Sequence, residues 1–288
     1  MTEKTRGVLF ALGAFGLWGL SPLYWRLLAH VPAVEILLHR IAWSAFFLAF
    51  VTRDRWGDLR RAAGNRRTAA TLLATTALIG LNWFLYIKAI EDHRVLDTSL
   101  GYYINPLVSV AFGVVLLGER MRRLQAAAGV LAACGVLWLV KVHGHLPWLS
   151  LTLAVTFALY GLLRKTAPVD ALLGLAFETF ALTVPAVLGL LWLARINRAP
   201  PDARTWLLLM GGAGMTAVPL LWFVEAARRL DLKTMGFLQF LSPTLQFLIA
   251  TLAFGEPLSR GRLVSFALIW AGVGLYFADA ALRPSRAR

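Results

Sequence analysis

The chain of 288 residues holds a single cysteine and little charge, and acidic residues are scarcer than basic ones. Cys134 stands alone, which excludes an intramolecular disulfide and any cysteine-built metal site. It lies in an apolar run, where a lone thiol acts as a small hydrophobe. Charged residues make up 15% of the chain and apolar residues 59%, with a mean hydropathy of +0.67. A soluble domain is nearer about 45–50% apolar and about 25% charged, so most of this chain faces something other than water. Signatures of chemistry are missing too: no His-Glu-x-x-His helix, no Gly-x-Ser-x-Gly elbow and no Gly-rich loop ending in Gly-Lys-Ser/Thr. These absences argue against an enzyme and against ATP-driven work by this chain alone; no cofactor and no metal are expected. His143 and His145 flank a glycine, a weak metal spacing that fits a solvated loop better.

What is abundant is apolar sequence in long runs. They fall at 7–28, 33–52, 69–90, 97–117, 121–140, 147–164, 170–193, 205–227, 233–254 and 260–281. Each reaches the roughly 17 residues needed to cross hydrocarbon. Backbone groups in a bilayer must be satisfied within each segment, so the expected fold class is an all-α membrane protein with ten transmembrane helices. The first run follows Lys4 and Arg6 but is too long for a signal peptide, and reads as a retained first helix.

The formal charge is +14 and the pI about 11.0. In a soluble protein that balance would point to nucleic acid. Here the basic residues stand between apolar runs, so they read as topogenic charge and no nucleic-acid partner is expected. With the N-terminus inside, 19 of the 29 lysines and arginines fall on the inner side, 7 outside and 3 within spans. That asymmetry predicts both termini in the cytoplasm. The chain is expected in a bacterial-type inner membrane, as a monomer or weak homodimer among lipids.

A repeat organises the runs. Under a shift of 137 residues, 89–140 lies over 226–277 without a gap. Pro106 then meets Pro243, Gly118-Glu119 meets Gly255-Glu256, Arg123 meets Arg260, and Gly135-Val136 meets Gly272-Val273. These matches are not hydrophobic filler. The expected domains are two five-helix repeats, 1–142 and 143–288. An odd number of spans per repeat inverts one against the other, a plan that places transport sites between the halves near the midplane.

Polar groups inside spans are the candidate functional residues. A charge at mid-bilayer costs at least about 2.5–3.5 kcal/mol on insertion scales, so it faces the bundle interior or a wet cavity. His39 and Arg40 lie in the second run and Glu178 in the seventh; whether Arg40 and Glu178 meet is open at this stage. Trp18, Asn82, Tyr86, Tyr103, Tyr160, Trp222 and Gln239 are expected to face a central cavity, mostly apolar with a few polar handles. In that reading the aromatics hold the apolar part of a solute and the amides its polar end, while spans five and ten are peripheral. Pro106 and Pro243 remove intrahelical hydrogen bonds at matched positions, and the paired kinks are candidate gating points.

Several of these stretches resemble one family. Leu100-Gly101-Tyr102-Tyr103-Ile104-Asn105-Pro106, Leu117-Gly118-Glu119-Arg120, Glu35-Ile36-Leu37-Leu38-His39-Arg40 and Asn82-Trp83 are similar to the RarD branch of the drug/metabolite transporter superfamily, and the duplicated module resembles the EamA domain. The resemblance implies ten helices, cytoplasmic termini and an efflux direction. Amino acid exporters of the YddG type share that fold. The expected function is therefore secondary export of small metabolites, with aromatic or hydrophobic amino acids favoured. Drug efflux and a non-transporting membrane scaffold are the alternatives. The second repeat departs from the pattern, since Glu256 is followed by Pro257 rather than arginine.

Overall fold

The computed structural model describes residues 1–92, 94–144, 147–196, 201–255 and 260–282, and every regular element among them is helical. His145, Glu256 and Pro257 lie outside the described residues. The long helices are α1 (Glu3–Arg26), α2 (Ala33–Val51), α4 (Arg66–Glu91), α5 (Val95–Leu116), α6 (Arg123–His143), α7 (Trp148–Thr166), α8 (Ala171–Arg195), α9 (Ala203–Arg229) and α12 (Arg260–Leu282). Their starts are chemically marked. Thr2, Asp170 and Asp202 each accept a hydrogen bond from the backbone N–H three residues on, which caps α1, α8 and α9. Gly144, with φ at 86°, ends α6 in the left-handed conformation that glycine adopts without strain.

The run expected at 233–254 is not one helix. It comprises α10 (Leu232–Gln239), α11 (Leu241–Leu248) and a π-helical turn over Ile249–Ala253. Pro243 has no N–H to give to the Gln239 carbonyl, and the helix breaks at Phe240 between them. Pro106, its partner under the 137-residue shift, leaves α5 continuous. The two prolines are therefore used differently in this conformation.

One element was not expected. The arginine-rich connection after α2 folds into a short helix, α3 (Trp56–Gly64). Leu59 is its buried residue, packed in a small cluster with Leu72, Ala167, Val169 and Leu173, and Trp56 stacks flat on Phe180 at 5.6 Å. Two apolar side chains three residues apart give it an amphipathic face that a count of charges conceals.

Among the described residues nine helices are long and apolar enough to cross a membrane, the broken ninth run counted as one. The expected count of ten rests on α7, which is less apolar because it carries Ser150, Thr156, Tyr160 and Arg164. All four are buried, and α7 packs against α4, α5 and α9. Its polarity is internal. The outer surface is the reverse: Phe46, Phe50, Val115, Leu137, Leu188 and Leu252 are all more than 60% exposed, which water would not tolerate over such an area and lipid does. Helix pairing follows a pattern as well. α6 packs on α12, α5 on α10, and α2 on α8; α5 packs on α7 as α1 does on α11, and α4 on α7 as α1 does on α9.

Candidate functional site

A cavity of about 1030 Å³ lies between α1, α2, α4, α5 and the broken ninth span. It extends to the face formed by the α1–α2 loop, where Ala29 and Val31 line it, and by Phe254 at the end of the ninth span. Its walls are aromatic. Trp18 meets Phe157 edge-on at 5.6 Å, and Tyr86 meets Tyr102 at 6.3 Å.

Of the residues expected to face such a cavity, Trp18, Asn82, Tyr86, Tyr103 and Gln239 line it. Tyr160 and Trp222 do not. Tyr160 is fully buried, donates its hydroxyl to Glu178 at 3.2 Å and stacks on Phe223. Trp222 fills the space left by Gly13 in the α1–α9 interface, where a Cβ on that glycine would come within 2.7 Å of the indole. Leu139 of α6 and Phe266 of α12 reach the cavity, so spans five and ten are not wholly peripheral.

The amides also serve a purpose other than the expected one. Asn82 donates to the Leu153 carbonyl and to the Thr156 hydroxyl, both at 2.9 Å, tying α4 to α7. Gln239 donates to Asn105, which in turn donates to the Ala154 carbonyl at 2.6 Å. Tyr103 donates to the Pro243 carbonyl at 3.0 Å. Buried polar side chains in hydrocarbon need such partners, and here they hold helices across the cavity floor.

Arg40 and Glu178 belong to different places. Glu178 accepts from Thr75 at 2.6 Å and from Tyr160, and pairs with Arg164 at 3.5 Å, all buried. His39 is buried with its ring edge-on to Trp206 at 5.1 Å and does not line the cavity. Arg40 does line it. Its Nε donates to the Thr216 hydroxyl at 2.7 Å, and its guanidinium lies over the rings of Trp25 at 5.1 Å and Trp83 at 5.5 Å. Trp83 and Tyr102 stand in the stretches quoted from sequence but were not among the residues expected to face the cavity, and Trp25 was not singled out at all. The available signal for Trp83 and Tyr102 was adjacency, to Asn82 and Tyr103.

The face bearing the N-terminus is closed. Glu119 accepts from the backbone N–H groups of Leu232 at 2.7 Å and Lys233 at 2.9 Å, the first turn of α10. Lys165 donates to the Ala227 and Leu230 carbonyls, and Arg228 to those of Ala167 and Val169. Arg55 pairs with Asp170 at 2.6 Å. Burial alone would raise the Asp170 carboxyl, but hydrogen bonds from Arg55 and the Leu173 N–H hold it below the usual carboxylate range. Lys165 and Arg228 satisfy helix-end carbonyls within the second half, while Glu119 and the Arg55–Asp170 pair link the two halves. The arrangement is a floor on one side and an open vestibule on the other.

Relatives agree with this architecture. Residues 5–141 match the EamA-like transporter family. The chain is 41% identical to Protein RarD of Escherichia coli over 96% of both chains. It is 40% identical to an uncharacterized transporter of Vibrio cholerae over 96% of this chain and 93% of that one. This chain belongs to the RarD family of EamA-like transporters. A further relative, 35% identical over 98% of this RarD-like permease and 96% of that chain, is the chloramphenicol-sensitive protein RarD of Pseudomonas aeruginosa. A crystal structure with 18% sequence identity shares the fold at a TM-score of 0.73, covering 96% of the permease and 99% of that chain. The permease is a membrane transporter of the drug/metabolite transporter superfamily and an integral membrane protein.

Proposed function

We propose that this permease is a secondary exporter of small amphipathic metabolites in the cytoplasmic membrane, working by alternating access between two inverted repeats. The observation that carries the reading is a large aromatic cavity reaching one face while the other is sealed by contacts between the halves, Glu119 on α10 and Arg55 on Asp170. With the N-terminal face in the cytoplasm, as the basic residues indicate, this conformation is outward-open. Paired helix contacts, α5 with α7 as α1 with α11, support the repeat. Gly118 and Gly255, matched under the 137-residue shift, also take the same left-handed conformation at the ends of spans four and nine (φ 66° and 69°).

Aromatic or hydrophobic amino acids are the finer substrate class, supported by the indole and phenyl walls. A second reading, drug efflux, is favoured by the cavity's size, at the upper end of the roughly 300–1000 Å³ of drug-sized sites. Counterflow in proteoliposomes against labelled amino acids, with chloramphenicol as competitor, tests both. At least one amino acid is expected to exchange. A folded preparation that exchanges none would remove the amino acid reading. A reporter fused after Arg288 should be active on the cytoplasmic side.

A further inference from the structure

The cavity holds two arginines, Arg26 and Arg40, and no aspartate or glutamate among its lining residues. Arg26 stands at the mouth over the Phe254 ring at 4.4 Å. Arg40 stands deeper. Among the described residues no carboxylate pairs with either arginine. Elsewhere the chain pairs its deeply buried cation, since Arg164 has Glu178. The cations lining the cavity lack such a partner.

Arg40 is also presented for binding. Thr216 gives its hydroxyl proton to the Gly212 carbonyl at 2.9 Å and receives Nε of Arg40 on its oxygen, which fixes the guanidinium. Trp25 and Trp83 flank it, and Tyr86 and Tyr102 lie near enough to feel its charge. The two Nη groups have no hydrogen-bond acceptor among the described residues, and they are not sealed from the cavity. A guanidinium held at Nε and bare at Nη is a fork suited to two oxygens of one carboxylate.

We infer that the cavity recognises an organic anion, a carboxylate on an aromatic or apolar body, with Arg40 as its counterion. The inference rests on the transport reading above and narrows its substrate class. It separates a carboxylate from a zwitterion. An ammonium group would find no anionic partner on the cavity wall and would share the space with two cations. The carboxylate of an amino acid would therefore be recognised, and its amino group would be tolerated at a cost. Transport chemistry also fits, because a single bidentate pair flanked by aromatic faces holds a solute without the several charge contacts that would prevent its release.

The test uses the full-length protein in detergent, with quenching of tryptophan fluorescence by four probes sharing one ring: 3-phenylpropionate, phenylalanine, 2-phenylethylamine and 3-phenylpropanol. The propionate should bind most tightly, phenylalanine less so, and the amine on the order of tenfold more weakly or worse. Arg40→Gln should weaken propionate binding on the order of tenfold and leave the alcohol unchanged, which shows the variant folded; Arg40→Lys should keep part of the affinity. Equal affinities across the charge series, no propionate binding to the wild type, or an unaltered affinity in Arg40→Gln would each overturn the inference. Counterflow of labelled 3-phenylpropionate in proteoliposomes separates the two readings. Binding that depends on Arg40 without counterflow by any probe upholds the anion site and removes the transport reading. Counterflow of amino acids that ignores both propionate and Arg40→Gln upholds transport and removes the anion site.

Discussion

Gly135 and Gly272 each face a carbonyl of the other's helix: a Cβ on Gly135 would stand 2.8 Å from the Ser265 oxygen, and one on Gly272 would stand 2.6 Å from the Ala128 oxygen. Ser265 and Ala128 are themselves 137 residues apart, so the contact between α6 and α12 maps onto itself when the repeats are exchanged. Backbones approach this closely in lipid only through small residues. Gly135→Val and Gly272→Val should each lower stability by about 1–3 kcal/mol through overpacking, and by similar amounts. Gly274→Ala, where nothing lies within 4 Å, should be neutral. Thermal melting in detergent decides this. Unequal losses at the two matched glycines would contradict the pseudo-symmetric contact.

Glu119 closes the N-terminal face by capping α10, and its carboxylate meets two backbone donors at once. A charged cap of this kind contributes about 1 kcal/mol, or roughly fivefold in an equilibrium. Glu119→Gln should therefore raise labelling of a cysteine placed at buried Ser109 by a polar reagent added on the N-terminal side, by about that factor. Unchanged labelling would mean that the cap does not hold the closed face.

Arg164 and Glu178 form a buried pair whose side chains are 0% and 2% exposed. A Cβ on Gly174 would fall on the guanidinium, so the helix packed against it has no room for a side chain there. Removing one partner strands the other charge away from water, which costs about 3–5 kcal/mol. Arg164→Met and Glu178→Gln should each reduce the yield of folded protein and lower the melting temperature. The double variant should lose less than the sum of the two. Strict additivity in that cycle would show that the pair is not coupled.

The helical spans were legible in the sequence because hydrocarbon imposes length, apolarity and backbone closure on every segment. Inward or outward rotation was not. Tyr160 and Trp222 have the composition of cavity residues, yet one is consumed by Glu178 and the other by the gap at Gly13. Asn82 and Gln239 line the cavity, but their hydrogen bonds go to other helices rather than into open space. A single sequence does not reveal which partner a polar side chain finds across the bundle. α3 was missed for a related reason, since its Leu59 and Trp56 are dispersed among arginines and find their partners only in the fold.

Gly236 and Ser99 occupy matched places 137 residues apart, and they are treated oppositely in this conformation. A Cβ on Gly236 would stand 2.5 Å from the Pro106 carbonyl oxygen, so α10 lies directly on α5 where the floor is closed. Ser99 lines the open cavity, and the Pro243 carbonyl is taken instead by the Tyr103 hydroxyl. If the repeats exchange conformations, Ser99 approaches Pro243 as Gly236 now approaches Pro106. Serine brings a Cβ that glycine lacks, so closure on the cavity side is the looser of the two. Enlarging either residue should then block one closure only, at a cost of about 1–3 kcal/mol, or roughly tenfold in the balance of states. Ser99→Val should slow counterflow while a cysteine replacing Ala29, at the cavity rim, stays fully reactive from the open side. Gly236→Val should do the reverse, raising reactivity at Ser109→Cys from the N-terminal side. Reactivities that shift in the same direction in both variants, or counterflow that Ser99→Val leaves unchanged, would rule out a reciprocal exchange between the two halves.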